Sequence, residues 1–345
     1  MPRAVDLSRS IDIHTHVVPP QWEDYGARFG VSGWPAIEMH SCCSASIHVH
    51  NKEFRRISDQ CFSLARRIKD MDEERVGRQL LSPIPALFCY WGEPDAAASF
   101  ASMQNDFLAE AVVAHPERFL AAGTLPMQAP RLAIRELERL ARLGFPAVEI
   151  GTNINGQYLD EPANVEILEA ASELGLAVFV HPWNSPDEDR LRKYYLPHFV
   201  CLPAETAIAA TRLILGGVLD RLPKLRVGLA HGGGNFLPLL SRIDHGHRVR
   251  PEAKVMTEQP PSSYVPRLFF DSITHDAEVL RFLCGRAGSQ RIMLGSDYPF
   301  DMGVAHPIDS LEEAGLSDVD LRNVLYQSAE AFLGLAPKEG RTDAA

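Results

Sequence analysis

The sequence predicts a closed (β/α)8 barrel with a small insertion after its first strand, and three observations carry that expectation. Short apolar runs alternate with longer amphipathic segments, the rhythm of β-strand and crossover helix. The short runs number eight. Four of them end in, or lead directly into, a histidine or an aspartate.

The candidate strands in chain order are 10–14, 78–82, 120–125, 147–151, 177–181, 226–231, 268–272 and 291–296. Between them, 131–143, 162–174, 205–221 and 277–286 read as helices; Leu132, Ile134, Leu137 and Leu140 recur at helical spacing. An open, doubly wound sheet is the other arrangement this rhythm allows. It is disfavoured because no glycine-rich dinucleotide turn follows the first strand. One crossover breaks the pattern. His16 to Arg78 spans about sixty residues, against about 2–6 for an ordinary βα loop. The alternation in 44–54 makes 17–60 a small insertion or hairpin over the barrel mouth, where long loops tend to carry function. With no repeat, low-complexity tract or linker, 1–345 is expected to be a single domain, with a disordered tail at 338–345.

Composition narrows the function. Of 345 residues 46% are hydrophobic and 23% charged, ordinary for a soluble protein. A net charge of −11 excludes a general nucleic-acid binder but leaves a small anionic substrate open. Cys42, Cys43, Cys61, Cys89, Cys201 and Cys284 form no CxxC pair, hence neither a disulfide framework nor a zinc knuckle. The N-terminus lacks the apolar stretch of a signal peptide, and no run approaches the roughly 18 apolar residues of a membrane span. A cytoplasmic protein with neither nucleic-acid nor membrane partner is expected.

The strongest local signal is Asp12-Ile13-His14-Thr15-His16. Residues i and i+2 of a strand face the same way, roughly 6.5–7 Å apart, so two imidazoles can converge on one ion. Barrel chemistry sits at the C-terminal strand ends. His181 closes the fifth strand ahead of Pro182-Trp183, His231 closes the sixth ahead of Gly232-Gly233-Gly234, and Asp297 follows the eighth in Gly295-Ser296-Asp297-Tyr298-Pro299-Phe300. One polar strand end is unremarkable; four at the same end of a barrel point to a metal site. Neutral nitrogens with a carboxylate suit Zn²⁺ with one position left open, and Mn²⁺ is the alternative.

The motifs HxH, HPW, HGGG and GSDYPF, in that order, resemble the amidohydrolase superfamily. With Leu202-Pro-Ala-Glu-Thr206 and Ala230–Gly234, the chain is similar to the 2-amino-3-carboxymuconate-6-semialdehyde decarboxylase family over nearly its whole length after the insertion. The resemblance implies one ion per chain held by His14, His16, His181 and Asp297, with His231 as a catalytic acid/base outside the ligand set. Two-metal relatives carry a bridging lysine on strand four; Glu149 stands on that strand here, a departure that leaves a bridging carboxylate open. Arg55 matches an arginine that grips a substrate carboxylate, whereas the family's lysine four residues earlier is replaced by Asn51, with Lys52 shifted by one. Arg242 matches an arginine lent to a neighbouring subunit, so a homodimer is implied. Trp183, Tyr194 and Phe300 are candidate pocket walls, and His48 and His50 form a second HxH inside the insertion.

The expected reaction is loss of CO₂ from an unsaturated or aromatic carboxylic acid, with 2-amino-3-carboxymuconate-6-semialdehyde or a close analogue as substrate. Arginine's planar fork suits its carboxylates. Either His231 with the metal's water or a protonated Asp297 returns the proton to carbon; the sequence leaves both open, and Asp297 is a catalytic candidate for that reason. Metal-dependent hydrolysis or hydration of a ring-cleavage dicarboxylate is the competing reaction.

Overall fold

Eight of the chain's strands pair in parallel into one sheet that closes on itself. In this computed structural model, which describes residues 5–184 and 188–335, thirteen strands occur in all. They are β1 (Ile11–Val17), β2 (Ala36–Ser41), β3 (Ser44–Val49), β4 (Lys52–Ser58), β5 (Arg78–Pro83), β6 (Phe119–Gly123), β7 (Ala147–Gly151), β8 (Asn153–Ile154), β9 (Gln157–Tyr158), β10 (Ala177–His181), β11 (Val227–Leu229), β12 (Leu268–Asp271) and β13 (Ile292–Met293). The barrel order is β1-β5-β6-β7-β10-β11-β12-β13. Backbone bonds close the ring between its two ends: Ile13 N donates to Leu294 O at 2.9 Å, Asp297 N to His14 O at 2.8 Å and His16 N to Tyr298 O at 2.8 Å. The expected (β/α)8 barrel is the fold.

Several boundaries differ from the expected ones. β1 runs on to Val17, so both histidines of the HxH lie within the strand, paired against β5. β11 and β13 are shorter than expected, and left-handed backbone follows them at His231 (φ 56°) and Asp297 (φ 60°). Such φ values cost energy for residues with a side chain and concentrate at functional sites.

The barrel wall is buried, apolar on its outward face and polar where the inward face carries Asp12, His14, His16, Glu149 and Asp271. Ile11, Ile13, Leu80, Val148, Val178 and Phe270 are all buried. Helices Leu64–Glu73, Pro94–Ala114, Pro130–Arg142, Pro162–Glu173, Leu202–Leu215, Phe236–Val249 and Ala277–Ala287 lie along the chain between the strands. The segment Lys193–Leu215 corrects one expectation: this helical stretch of 23 residues, mean hydropathy 1.3, is long and apolar enough to cross a membrane by length and composition. Its Ala209, Ala210, Leu213 and Ile214 are buried in the main core, as in a helix that covers a barrel.

The insertion is more than a hairpin. β2, β3 and β4 form an antiparallel three-stranded sheet preceded by the short helix Tyr25–Phe29. Its buried face, with Ala45, Ile47 and Ile57, joins Tyr25, Trp34, Leu87 and Phe100 in a second apolar cluster. The sheet is thereby fixed to the barrel, and β4 carries Arg55. The 338–345 tail lies outside the described residues.

Candidate metal centre

The alternation of β1 sends Ile11, Ile13 and Thr15 to one face and Asp12, His14 and His16 to the other. His14 and His16 meet His181, from the end of β10, and Asp297, from the turn after β13; donor atoms of these four buried residues all lie within 4.8 Å of one another. The four ligand candidates read from scattered strand ends form one group.

Their hydrogen bonds decide what the group can hold. His14 Nδ1 donates to Asp271 Oδ2 at 2.7 Å, His16 Nδ1 to Pro83 O at 3.0 Å and His181 Nδ1 to Pro182 O at 2.9 Å. A carboxylate or carbonyl oxygen only accepts, so each ring keeps its proton on Nδ1 and presents a bare Nε2. His14 Nε2 and His16 Nε2 face each other at 3.3 Å, and His16 Nε2 faces Asp297 Oδ1 at 3.1 Å. Asp297 Oδ1 is buried with no donor. Lone pairs directed at lone pairs in a buried site call for a cation between them, so the residues fit a divalent metal ion.

The electrostatics agree. Burial pushes Asp297 up, but the surrounding histidines outweigh it and hold the carboxyl well below the usual range. Burial pulls His16 down, yet Glu149 and Asp297 outweigh that and raise it above its ordinary value. His14 and His181 are lowered, first by burial. Glu149, on β7, is fully buried with no hydrogen bond to either carboxylate oxygen, and burial lifts it to about 7 against the pull of His16.

His231 stands beside the group without entering it. Its Nε2 lies 3.6 Å from Asp297 Oδ2, and its Nδ1 has no partner. The glycines that follow are dictated by space: Gly232, Gly233 and Gly234 all have positive φ, and a Cβ on Gly233 would sit 2.7 Å from the Phe270 ring. At the mouth, the Arg55 guanidinium lies 4.7 Å over the Phe300 ring, and that ring's centroid is 5.5 Å from the His16 ring. Arg55 also bonds Asp301 Oδ1 and the Tyr195 hydroxyl, each at 3.3 Å. Trp183 is half-buried, 6.3 Å from Phe88 between ring centroids. Tyr194 is 82% exposed; the neighbouring Tyr195 is the tyrosine that reaches Arg55, because both residues adopt left-handed backbone (φ 61° and 59°). Arg242 is exposed on helix Phe236–Val249. His48 pairs with Glu38 at 3.3 Å, and His50 lies against Trp91; neither joins the ligands.

The amidohydrolase family profile matches residues 11–335. This chain belongs to the amidohydrolase family. Within it, the chain is 40% identical over 337 residues to the 2-amino-3-carboxymuconate-6-semialdehyde decarboxylase of Dictyostelium discoideum, covering 96% of this chain and 93% of that one, and belongs with that decarboxylase family. The 5-carboxyvanillate decarboxylase LigW from Sphingomonas paucimobilis has the same fold, with a TM-score of 0.80 at 23% identity over 95% of this chain and 99% of that one. So does the dihydroxybenzoic acid decarboxylase from Polaromonas sp. JS666 with bound manganese and 2-nitroresorcinol, at TM-score 0.76 and 23% identity, covering 94% and 97%. This amidohydrolase is a carboxy-lyase.

Two supporting residues of this amidohydrolase carry no motif. Asp271, at the end of β12, is fully buried; besides His14 it accepts from His231 N at 2.8 Å and Gly232 N at 2.7 Å. One carboxylate thus orients His14 and the turn that carries His231. Arg67 is fully buried, donates to His16 O and to Gln79 Oε1, and lies 4.6 Å over the Tyr298 ring, tying β1 to the turn that carries Asp297. Asp271→Asn should lower metal affinity or kcat about 10- to 100-fold, because its amide nitrogen would face a donor that now meets an oxygen. Elemental analysis with kcat and KM checks this; wild-type values for all three would show that Asp271 only fills space.

Proposed function

We propose that this carboxy-lyase removes CO₂ from 2-amino-3-carboxymuconate-6-semialdehyde, or from a close unsaturated or aromatic dicarboxylate, using one Zn²⁺ held by His14, His16, His181 and Asp297. The observation that carries the substrate reading is Arg55: a cation stacked on Phe300, whose ring in turn meets ligand His16. A carboxylate on Arg55 is then within a ring's breadth of the ligand group. The manganese held by the Polaromonas relative keeps Mn²⁺ as the other ion to test.

Bound there, a divalent ion supplies Lewis-acid stabilisation of the electron density that departing CO₂ leaves behind. The protein's own groups do the rest. Arg55 binds a substrate carboxylate and orients the bond to be cleaved. Phe300 and Trp183 wall the pocket and exclude water. His231 holds and returns the proton at Nε2: burial pulls it down, but Asp297 and Asp271 outweigh burial and raise it above its ordinary value. Asp297, kept ionised, serves as ligand and leaves the proton transfer to His231.

The metal-replete enzyme is assayed against carboxymuconate semialdehydes and hydroxybenzoates, read as CO₂ release. Water addition without CO₂ would replace decarboxylation by hydration or hydrolysis.

A homodimer belongs to the same reading. Phe199, Val200, Ile208 and Leu239 are exposed on or beside helices Leu202–Leu215 and Phe236–Val249, the second of which carries Arg242. Covering this apolar face with a second copy would bring Arg242 to the partner's pocket. Inactive Arg242→Ala protein mixed with inactive His231→Ala protein should regain up to about half of wild-type activity per heterodimer, since one site then carries neither lesion. Confirmed subunit exchange without activity would confine Arg242 to its own chain. The whole chain is read as one domain, and its six free thiols fit a reducing compartment such as the cytoplasm.

A further inference from the structure

Cys42 and Cys43 make up the whole turn between β2 and β3, across which Ser41 pairs with Ser44. Both thiols are exposed, and their sulfurs lie 3.0 Å apart. The turn is tied down: Cys43 N donates to Ser41 Oγ at 3.2 Å, and Asp59 N donates to Cys43 O at 3.2 Å. The dithiol is therefore presented on a fixed support at the edge of the insertion sheet.

The sulfur separation exceeds a disulfide bond of about 2.05 Å. The backbone also resists closing it, because adjacent Cα atoms sit about 3.8 Å apart across a trans peptide, below the roughly 4.4–6.8 Å that relaxed disulfides span. A single atom bridging both sulfurs avoids that conflict, since each sulfur bonds to the bridge and not to its neighbour. Zinc is a poor bridge here. It asks for four ligands, and among the described residues no third histidine, cysteine or carboxylate joins these sulfurs in a ligand group.

We propose that Cys42 and Cys43 together form a binding site for trivalent arsenicals, thiophilic centres satisfied by two bonds to sulfur. With an organoarsenic oxide, two As–S bonds replace the two bonds to oxygen. Both thiol protons leave with that oxygen as water, and nothing is oxidised or reduced. The condensation starts from thiols, and the neighbouring Cys42 thiol raises Cys43 above its ordinary value, which keeps it protonated. The remaining cysteines stand singly, with Cys61, Cys89 and Cys201 buried and Cys284 partly so.

Phenylarsine oxide added to the reduced, metal-replete enzyme is the probe, and intact-protein mass is the readout. One adduct per chain should form with loss of two titratable thiols; it should withstand excess 2-mercaptoethanol and come off with 2,3-dimercaptopropanol. Cys42→Ser and Cys43→Ser should each lose the mercaptoethanol-resistant adduct while retaining wild-type metal content. Absence of a resistant adduct in the wild type, or its full retention in either variant, overturns the proposal.

Discussion

His231→Ala should retain its full metal complement while turnover falls about 10²- to 10⁴-fold, the contribution typical of a positioned general acid or base. The expectation follows from where the ring sits. Its Nε2 is 3.6 Å from Asp297 Oδ2, so it touches the site through a ligand's outer oxygen. The four-residue group does not include it: three bare imidazole nitrogens and one carboxylate lie within 4.8 Å of one another. Truncation to alanine deletes the proton-bearing nitrogen and leaves every donor in place. The backbone bond from position 231 to Asp271 survives as well, so the turn should hold its shape. Elemental analysis and CO₂ release on the same preparation decide the matter. A metal-free variant would make His231 a ligand.

Asp297→Ala and His14→Ala should instead lose both metal and turnover. Asp297 is the one carboxylate among the four residues, and its removal takes away the charge nearest to a divalent cation held there. His14 is held by Asp271 at 2.7 Å, and its loss would also leave that buried carboxylate short of a donor. Thermal stability gives an independent readout. A ligand at about 1,000 times its Kd stabilises the folded state by about 4.1 kcal/mol, so added metal should raise Tm in the wild type and not in either variant. Two ions in fully active wild-type protein would overturn the mononuclear reading and bring Glu149 in as a bridge. That carboxylate is buried, lacks a hydrogen-bonding partner and lies in the field of His16.

The parts of the site that could be read from the sequence are those that strand periodicity and strand ends encode. His14 and His16 share a face because they are two residues apart; His181, His231 and Asp297 follow apolar runs that become barrel strands. Asp271 could not be read in this way. It lies in an expected strand, but its significance comes from His14, 257 positions away, and a lone aspartate in Phe269-Phe270-Asp271 has no spacing signature. Arg67 looks like one more charge on an amphipathic helix, and only the packed structure buries it behind His16. Tyr194 and Tyr195 were indistinguishable by composition. Two consecutive left-handed residues decide which ring turns toward Arg55, a backbone property no side-chain pattern announces. The insertion's third strand is not legible in the sequence because β2 is almost wholly exposed and lacks the alternation that marks a half-buried strand.

The seam of the barrel has a consequence for how the protein is made. Its first and last strands meet at the metal centre, where Ser296 N donates to Asp12 Oδ1 at 3.0 Å across 284 positions of sequence. In N-to-C synthesis His14 and His16 emerge before His181, and Asp297 is the last of the four residues to appear. Until then there is no ring and no complete cradle, only histidines that could capture ions loosely. The four-residue group is therefore assembled only once position 297 has been synthesised, and a chain released before it lacks the group by its topology.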